Sequence, residues 1–101
     1  MPIIAVFQGP GFTQENYEES VRRLTGRNKM TSPSEWPVEG LLAHIAGQGA
    51  NGFRVVDVWA SEDAFRQFGE KLVPILRAIG VEGQPETYPA HTVVTANAAV
   101  T

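Results

Sequence analysis

Val56-Asp57-Val58-Trp59-Ala60-Ser61-Glu62-Asp63-Ala64-Phe65-Arg66-Gln67-Phe68 is the stretch whose change of hydrophobic period decides the fold. Up to Trp59 the side chains alternate with a period of two. Phe53, Val55, Asp57 and Trp59 fall on one side of a strand, and Arg54, Val56 and Val58 on the other. From Ser61 the period lengthens. Ala64, Phe65, Phe68, Leu72, Ile75, Leu76 and Ile79 recur at helical spacing behind Ser61 as N-cap, with Glu62 and Asp63 in the first turn. Pro74 lacks an N–H and is expected to kink or split this helix, and Gly80 suits the left-handed position after its end.

Working outward, residues 53–59 are preceded by Gln48-Gly49-Ala50-Asn51-Gly52, in which Asn51-Gly52 is a strong hairpin signal. Residues 40–47 then form the partner strand. Ile3–Gln8 is β-branched and apolar, and Gly9-Pro10-Gly11 stops it. Thr13 caps a helix whose stripe is Tyr17, Val21 and Leu24, with Arg22 and Arg23 near its negative end and Gly26 as its stop. Residues 27–39 have no period of either kind and read as a long loop. A loop of that length in a small domain covers something, and Trp36 among polar neighbours makes it a candidate lid. Residues 86–95 read as the last strand of a single domain spanning 1–95. Residues 96–101 remain as a tail, either frayed or added at an edge.

The order is β, α, β, β, α, β. Right-handed crossovers predict an α+β, ferredoxin-like βαββαβ fold, with both helices on one face of a four-stranded antiparallel sheet. The opposite face is then bare and apolar, which predicts a homodimer that buries it.

Composition narrows the function classes. The 101 residues suffice for one hydrophobic core, and 43% hydrophobic with 19% charged content is ordinary for a globular chain. Eight basic against eleven acidic residues give a net charge of -3, with Arg22, Arg23, Arg27 and Lys29 clustered only locally, so nucleic acid is not an expected partner. Cysteine is absent, which removes disulfides, thiolate metal sites and cysteine nucleophiles. The apolar run in MPIIAVFQGP is too short for a secretory leader or a membrane span, and the cytoplasm is the expected address. Gly9-Pro10-Gly11 lacks the spacing and the following Lys of a phosphate loop.

The strand-to-helix segment at residues 56–68, Trp59 at the strand end followed by Ser61, Glu62 and Ala64-Phe65, resembles that of dimeric α/β-barrel proteins, the superfamily with the antibiotic biosynthesis monooxygenase-like domains. The resemblance implies two ferredoxin-like sheets packed face to face, with a ligand cleft between each sheet and its own helices. Members include cofactor-free quinone-forming monooxygenases, haem-handling enzymes and small-molecule isomerases, so the fold does not choose the chemistry. The cofactor-free oxygenases hold polyphenolic substrates with Asn, Trp, Tyr and Arg groups. Only Trp59 falls on a matching position here, and no catalytic set is carried over.

A hairpin turn of two or four residues makes paired positions sum to an odd number, which puts His44 on the face of Asp57 and Trp59. A three-residue turn, or a bulge between them, would reverse that. An imidazole beside a carboxylate can act as a general base, so His44 and Asp57 are the catalytic candidates. The competing reading is a structural hydrogen bond that satisfies two half-buried polar groups. Trp59, Trp36, His91 and Tyr88 are candidate substrate-binding residues; for Trp59, and for Trp36, Tyr17 and Tyr88 likewise, the competing reading is core packing. Two histidines without a third ligand do not make a metal site, and no cofactor motif is present. Two functions therefore stand at this level. One is a small-molecule enzyme, such as a cofactor-independent oxygenase acting on an aromatic or polyketide-like substrate. The other is a non-catalytic homodimeric module that binds a ligand or a protein.

Overall fold

A computed structural model describes residues 1–9, 11–27, 32–96 and 99–100. Strand β1 (Ile3–Gln8) leads into α1 (Gln14–Thr25), and the pair β2 (Leu41–Gly49) and β3 (Gly52–Trp59) leads into α2 (Glu62–Ala78) and β4 (Glu86–Pro89). The four strands form one antiparallel sheet in the order β2-β3-β1-β4. That is the α+β, ferredoxin-like arrangement, with α1 and α2 packed against each other. A separate two-residue pair, β5 (Val93–Val94) with β6 (Ala99–Val100), closes the chain.

The helices begin and end where local chemistry dictates. Thr13 and Asn16 exchange a capping box at the start of α1, and Gly26 (φ 78°) ends it in the left-handed region. Ser61 Oγ accepts the Ala64 N–H at the start of α2. At its end the Val81 N–H bonds Leu76 O at 2.9 Å and the Gly80 N–H bonds Arg77 O at 3.2 Å, the paired contacts of a Schellman motif with Gly80 at φ 80°. Pro74 does not split α2, which runs as one helix from Glu62 to Ala78.

Three further expectations need correction. The last main-sheet strand stops at Pro89 instead of running to Thr95, because the chain leaves β1 after the Ala90 N–H bonds Pro2 O; Val93 and Val94 pair with Ala99 and Val100 instead. The 27–39 segment is not structureless: Pro33–Glu35 is a 3-10 turn, and Trp36 and Val38 behind it are buried in the main core. Its residues 28–31 and Pro10 of the Gly9-Pro10-Gly11 stop lie outside the described residues, as do residues 97, 98 and 101 of the tail. Lastly, β2 carries a bulge, since Leu41 pairs with Trp59 but Ala43 pairs with Val58. The extra residue, Leu42, puts Leu41 on the same face as His44, so Leu41 joins the core at 7% exposure.

That core fills the space between sheet and helices. Trp59 is fully buried and Phe68 nearly so, with ring centroids 4.8 Å apart, and Trp36 also stacks on Phe68, at 5.6 Å. Such stacked pairs add about 1 kcal/mol each beyond simple burial.

The β2–β3 hairpin turns through Ala50 and Asn51, with Gly49 paired to Gly52. Gly52 has φ 122°, and a Cβ there would lie 2.6 Å from the Gly9 carbonyl oxygen. Gly52→Ala is therefore expected to destabilise the protein by about 2 kcal/mol, a fall in Tm of about 10 °C. Gly47→Ala, at a strand position with no neighbour within 4 Å of the added carbon, is expected to change Tm by no more than a few degrees. Thermal denaturation of both variants checks the contrast.

Candidate functional site

Three elements each send one polar side chain to a common point beneath the helices. The register of β2 and β3 places His44 directly opposite Asp57. The bulge lies beyond His44, between Leu41 and Ala43, so it leaves that pairing intact. On α1, the stripe of Tyr17, Val21 and Leu24 faces the sheet, which brings Tyr17, one turn after the N-cap, over His44. His44 Nδ1 lies 2.5 Å from Asp57 Oδ1, and His44 Nε2 lies 2.5 Å from the Tyr17 hydroxyl. Both nitrogens of the imidazole are engaged.

The electrostatics follow from burial. Burial pushes the Asp57 carboxyl above the ordinary carboxylate range, and the hydrogen bond and charge of His44 pull it back without cancelling the effect. The Trp59 indole lies near enough to favour the charge slightly, yet its N–H meets no acceptor at hydrogen-bond geometry. The Tyr17 phenol is pushed up to about 12, first by burial and then by the negative charges of Asp57 and Glu18. A phenol in that state keeps its proton. In the tautomer that has its proton on Nδ1, the imidazole donates to an ionised Asp57 carboxylate and leaves Nε2 to accept from the Tyr17 O–H.

The trio borders a cavity of about 370 Å³ between the sheet and the two helices. Phe7 and Val55 line its sheet side, and Val21, Leu24, Phe68 and Leu72 its helix side. Gln8, Gly9, Gly11 and Phe12 from the β1–α1 turn and the segment from Gly80 to Pro85 complete the rim. The Phe53 N–H bonds Phe12 O at 3.3 Å, which ties that turn to the hairpin. The volume falls within the range of small-molecule sites and suits a flat ligand of roughly two or three fused rings. No Lys or Arg borders it among the described residues, and its ionisable neighbours besides the trio are limited to Glu82.

The sequence-derived candidates divide sharply. His44 and Asp57 come together at the cavity. Trp36 also borders it, but at 7% exposure, 5.2 Å from the His44 ring, it is a wall of the core and not an outer lid. Trp59 is buried behind Phe68 and does not reach the cavity. Tyr88 pairs with Ile4 on the sheet face away from the helices, and His91 is exposed; neither borders the cavity. The hydroxyl of Tyr17 is what sequence reasoning missed. Its only signal was a phenol in the stripe of a helix that must lie over the strand carrying His44. Among the described residues, no cluster of three or more His, Cys, Asp or Glu side chains could hold a metal, and no helix is long and apolar enough to cross a membrane.

Comparison with known proteins leaves the site to speak through its chemistry: no family model matches the chain, and no curated protein or solved structure matches it.

His44→Ala would leave Asp57 buried without its partner and raise its folded-state pKa further. A carboxyl raised on folding contributes stability that is present below its unfolded pKa and lost as pH rises through the folded pKa. The variant is thus expected to lose about 3 kcal/mol at neutral pH and to recover progressively as the pH falls into the ordinary carboxylate range. Adding Asp57→Asn should restore part of the loss at neutral pH. Chemical denaturation across pH checks both statements.

Proposed function

We propose that this protein is a small-molecule-binding enzyme of the monooxygenase-like dimeric α/β-barrel group, acting by proton transfer on an aromatic or polyketide-like substrate without a cofactor. The observation that carries the reading is the Tyr17–His44–Asp57 chain bordering an apolar, aromatic-walled cavity. A carboxylate, an imidazole and a hydroxyl in series form an acid–base relay, and the apolar walls suit a flat ring system. Removing a proton from a phenolic ring enriches it in electrons, which is the activation that a cofactor-independent oxygenase requires of its substrate. A second reading, a non-catalytic binding module, draws on the same geometry. Both His44 nitrogens are satisfied by protein partners, as they would be in a purely structural network.

The first test is occupancy. 7-Hydroxycoumarin, a flat neutral phenol, is expected to bind with a Kd on the order of 10 μM, about -7 kcal/mol. Leu24→Trp, which fills the cavity from α1, should weaken binding at least about tenfold, or by about 1.4 kcal/mol. Equal binding by both proteins in calorimetry would exclude the cavity.

The same proposal includes a homodimer formed through the sheet face opposite the helices. That face carries Ile4, Ala43, Ile45, Val56, Val58 and Tyr88, of which Ile45 is 64% and Tyr88 42% exposed. Sedimentation at micromolar concentration is expected to give a dimer, and Ile45→Lys a monomer that retains the fold. A monomeric parent protein would rule this arrangement out.

A further inference from the structure

We propose that Tyr17 is the group that meets the substrate, passing the proton of a neutral, hydroxyl-bearing aromatic ligand to His44, which with Asp57 acts behind it and makes no ligand contact. The inference rests on the cavity reading above and names the acting residue and the substrate class.

Valence points to Tyr17. All three side chains border the cavity, those of His44 and Asp57 being 7% and 2% exposed, so the free hydrogen-bonding capacity of each decides which of them a ligand can engage. A ligand reaching for the imidazole finds Nδ1 held by Asp57 and Nε2 held by the Tyr17 hydroxyl. The phenolic oxygen, having donated its proton to Nε2, still has lone pairs for a second partner. A ligand hydroxyl can donate there without breaking the chain.

The proton balance is simple. The ligand O–H bond breaks as its proton passes to the Tyr17 oxygen, and the Tyr17 O–H bond breaks as its proton passes to His44 Nε2. Tyr17 ends as a phenol, now donating to the ligand anion, and His44 ends as an imidazolium held by the Asp57 carboxylate. No electron changes hands. The two transfers occur together, since a free tyrosinate between Asp57 and Glu18 is disfavoured by burial and by like charge.

The surroundings select the ligand's charge. The ionisable groups near Tyr17 are His44 from β2, Asp57 from β3 and Glu18 from its own helix, and Glu82 from the segment after α2 borders the same cavity. Its described lining offers two acids and no Lys or Arg to a ligand, so one already carrying a carboxylate or phosphate would face repulsion and uncompensated desolvation. A ligand that arrives neutral and becomes an anion only as His44 becomes a cation avoids both costs.

The test is the ionisation of bound 7-hydroxycoumarin, read from the absorbance of its anion across pH, with 7-methoxycoumarin as a ligand that has no proton to give. In the parent protein the bound phenol is expected to ionise at least about one pH unit below its value in water, a tenfold gain in anion. Tyr17→Phe, saturated with 7-hydroxycoumarin, should lose the shift whatever its affinity for 7-methoxycoumarin, because an apolar cavity then disfavours the anion. His44→Gln, which keeps a polar partner for Tyr17 but cannot accept a proton, should lose the shift as well. A shift that persists in Tyr17→Phe, or no shift in a parent protein that binds both coumarins, overturns the role of Tyr17 and leaves the cavity reading standing. Absence of coumarin binding to the parent overturns both.

Discussion

A carboxylate on the inner face of a central strand is costly unless it is paired, by several kcal/mol for an isolated buried charge. Asp57 occupies that position on β3, 1% exposed, with β2 on one side and β1 on the other. Its partner must come from the residue directly across the hairpin, and that residue is His44. The register of β2 against β3 is thus tied to an electrostatic requirement as well as to hydrophobic alternation: a slip by one residue would strand the acid and turn the imidazole to the bare face. Gly49 paired to Gly52 and the bulge at Leu42 bracket the pair and confine the irregularity to either end.

From that pair the rest of the site follows by reach. An imidazole held at Nδ1 presents Nε2 toward the helix layer, where the inward stripe of α1 supplies Tyr17. Trp36, folded in from the segment after α1, closes the side of His44 at 5.2 Å and stacks on Phe68 of α2. The polar chain is therefore walled by aromatic rings. This keeps the dielectric low, strengthening its hydrogen bonds while penalising any member left unpaired. The Schellman end of α2 then brings Val81 and Glu82 to the cavity rim, so a helix terminus also shapes the cavity.

Two residues show how one side-chain type can serve opposite ends. Both tryptophans are buried with an indole N–H that has no hydrogen-bond partner among the described residues. Trp59 spends its area on Phe68 and Phe65 deep in the core, whereas Trp36 has one edge in the core and another at the cavity. Position along the strand decided the first. The second depended on how a segment without periodicity packs, and its composition had suggested a cover lying outside the core.

The sequence by itself determined the element order, the caps at Thr13, Gly26 and Ser61, and the shared face of His44 and Asp57. All of these depend on contacts within a few residues or on period-two alternation across one short turn, where geometry leaves little choice. It did not determine where β4 ends, because Glu86 to Thr95 has strand-like composition throughout. The break after Pro89 reflects β4 reaching the first residue of β1, and the pairing of Val93 and Val94 with Ala99 and Val100. Nor did it reveal the third member of the hydrogen-bonded chain. Tyr17 and His44 are far apart in sequence, and their 2.5 Å contact exists only because α1 lies across the sheet at one particular angle and height. Tertiary packing alone sets those two quantities. The paired His44 and Asp57 were therefore legible in the strand pattern, while the phenol that meets His44 from the helix layer was not.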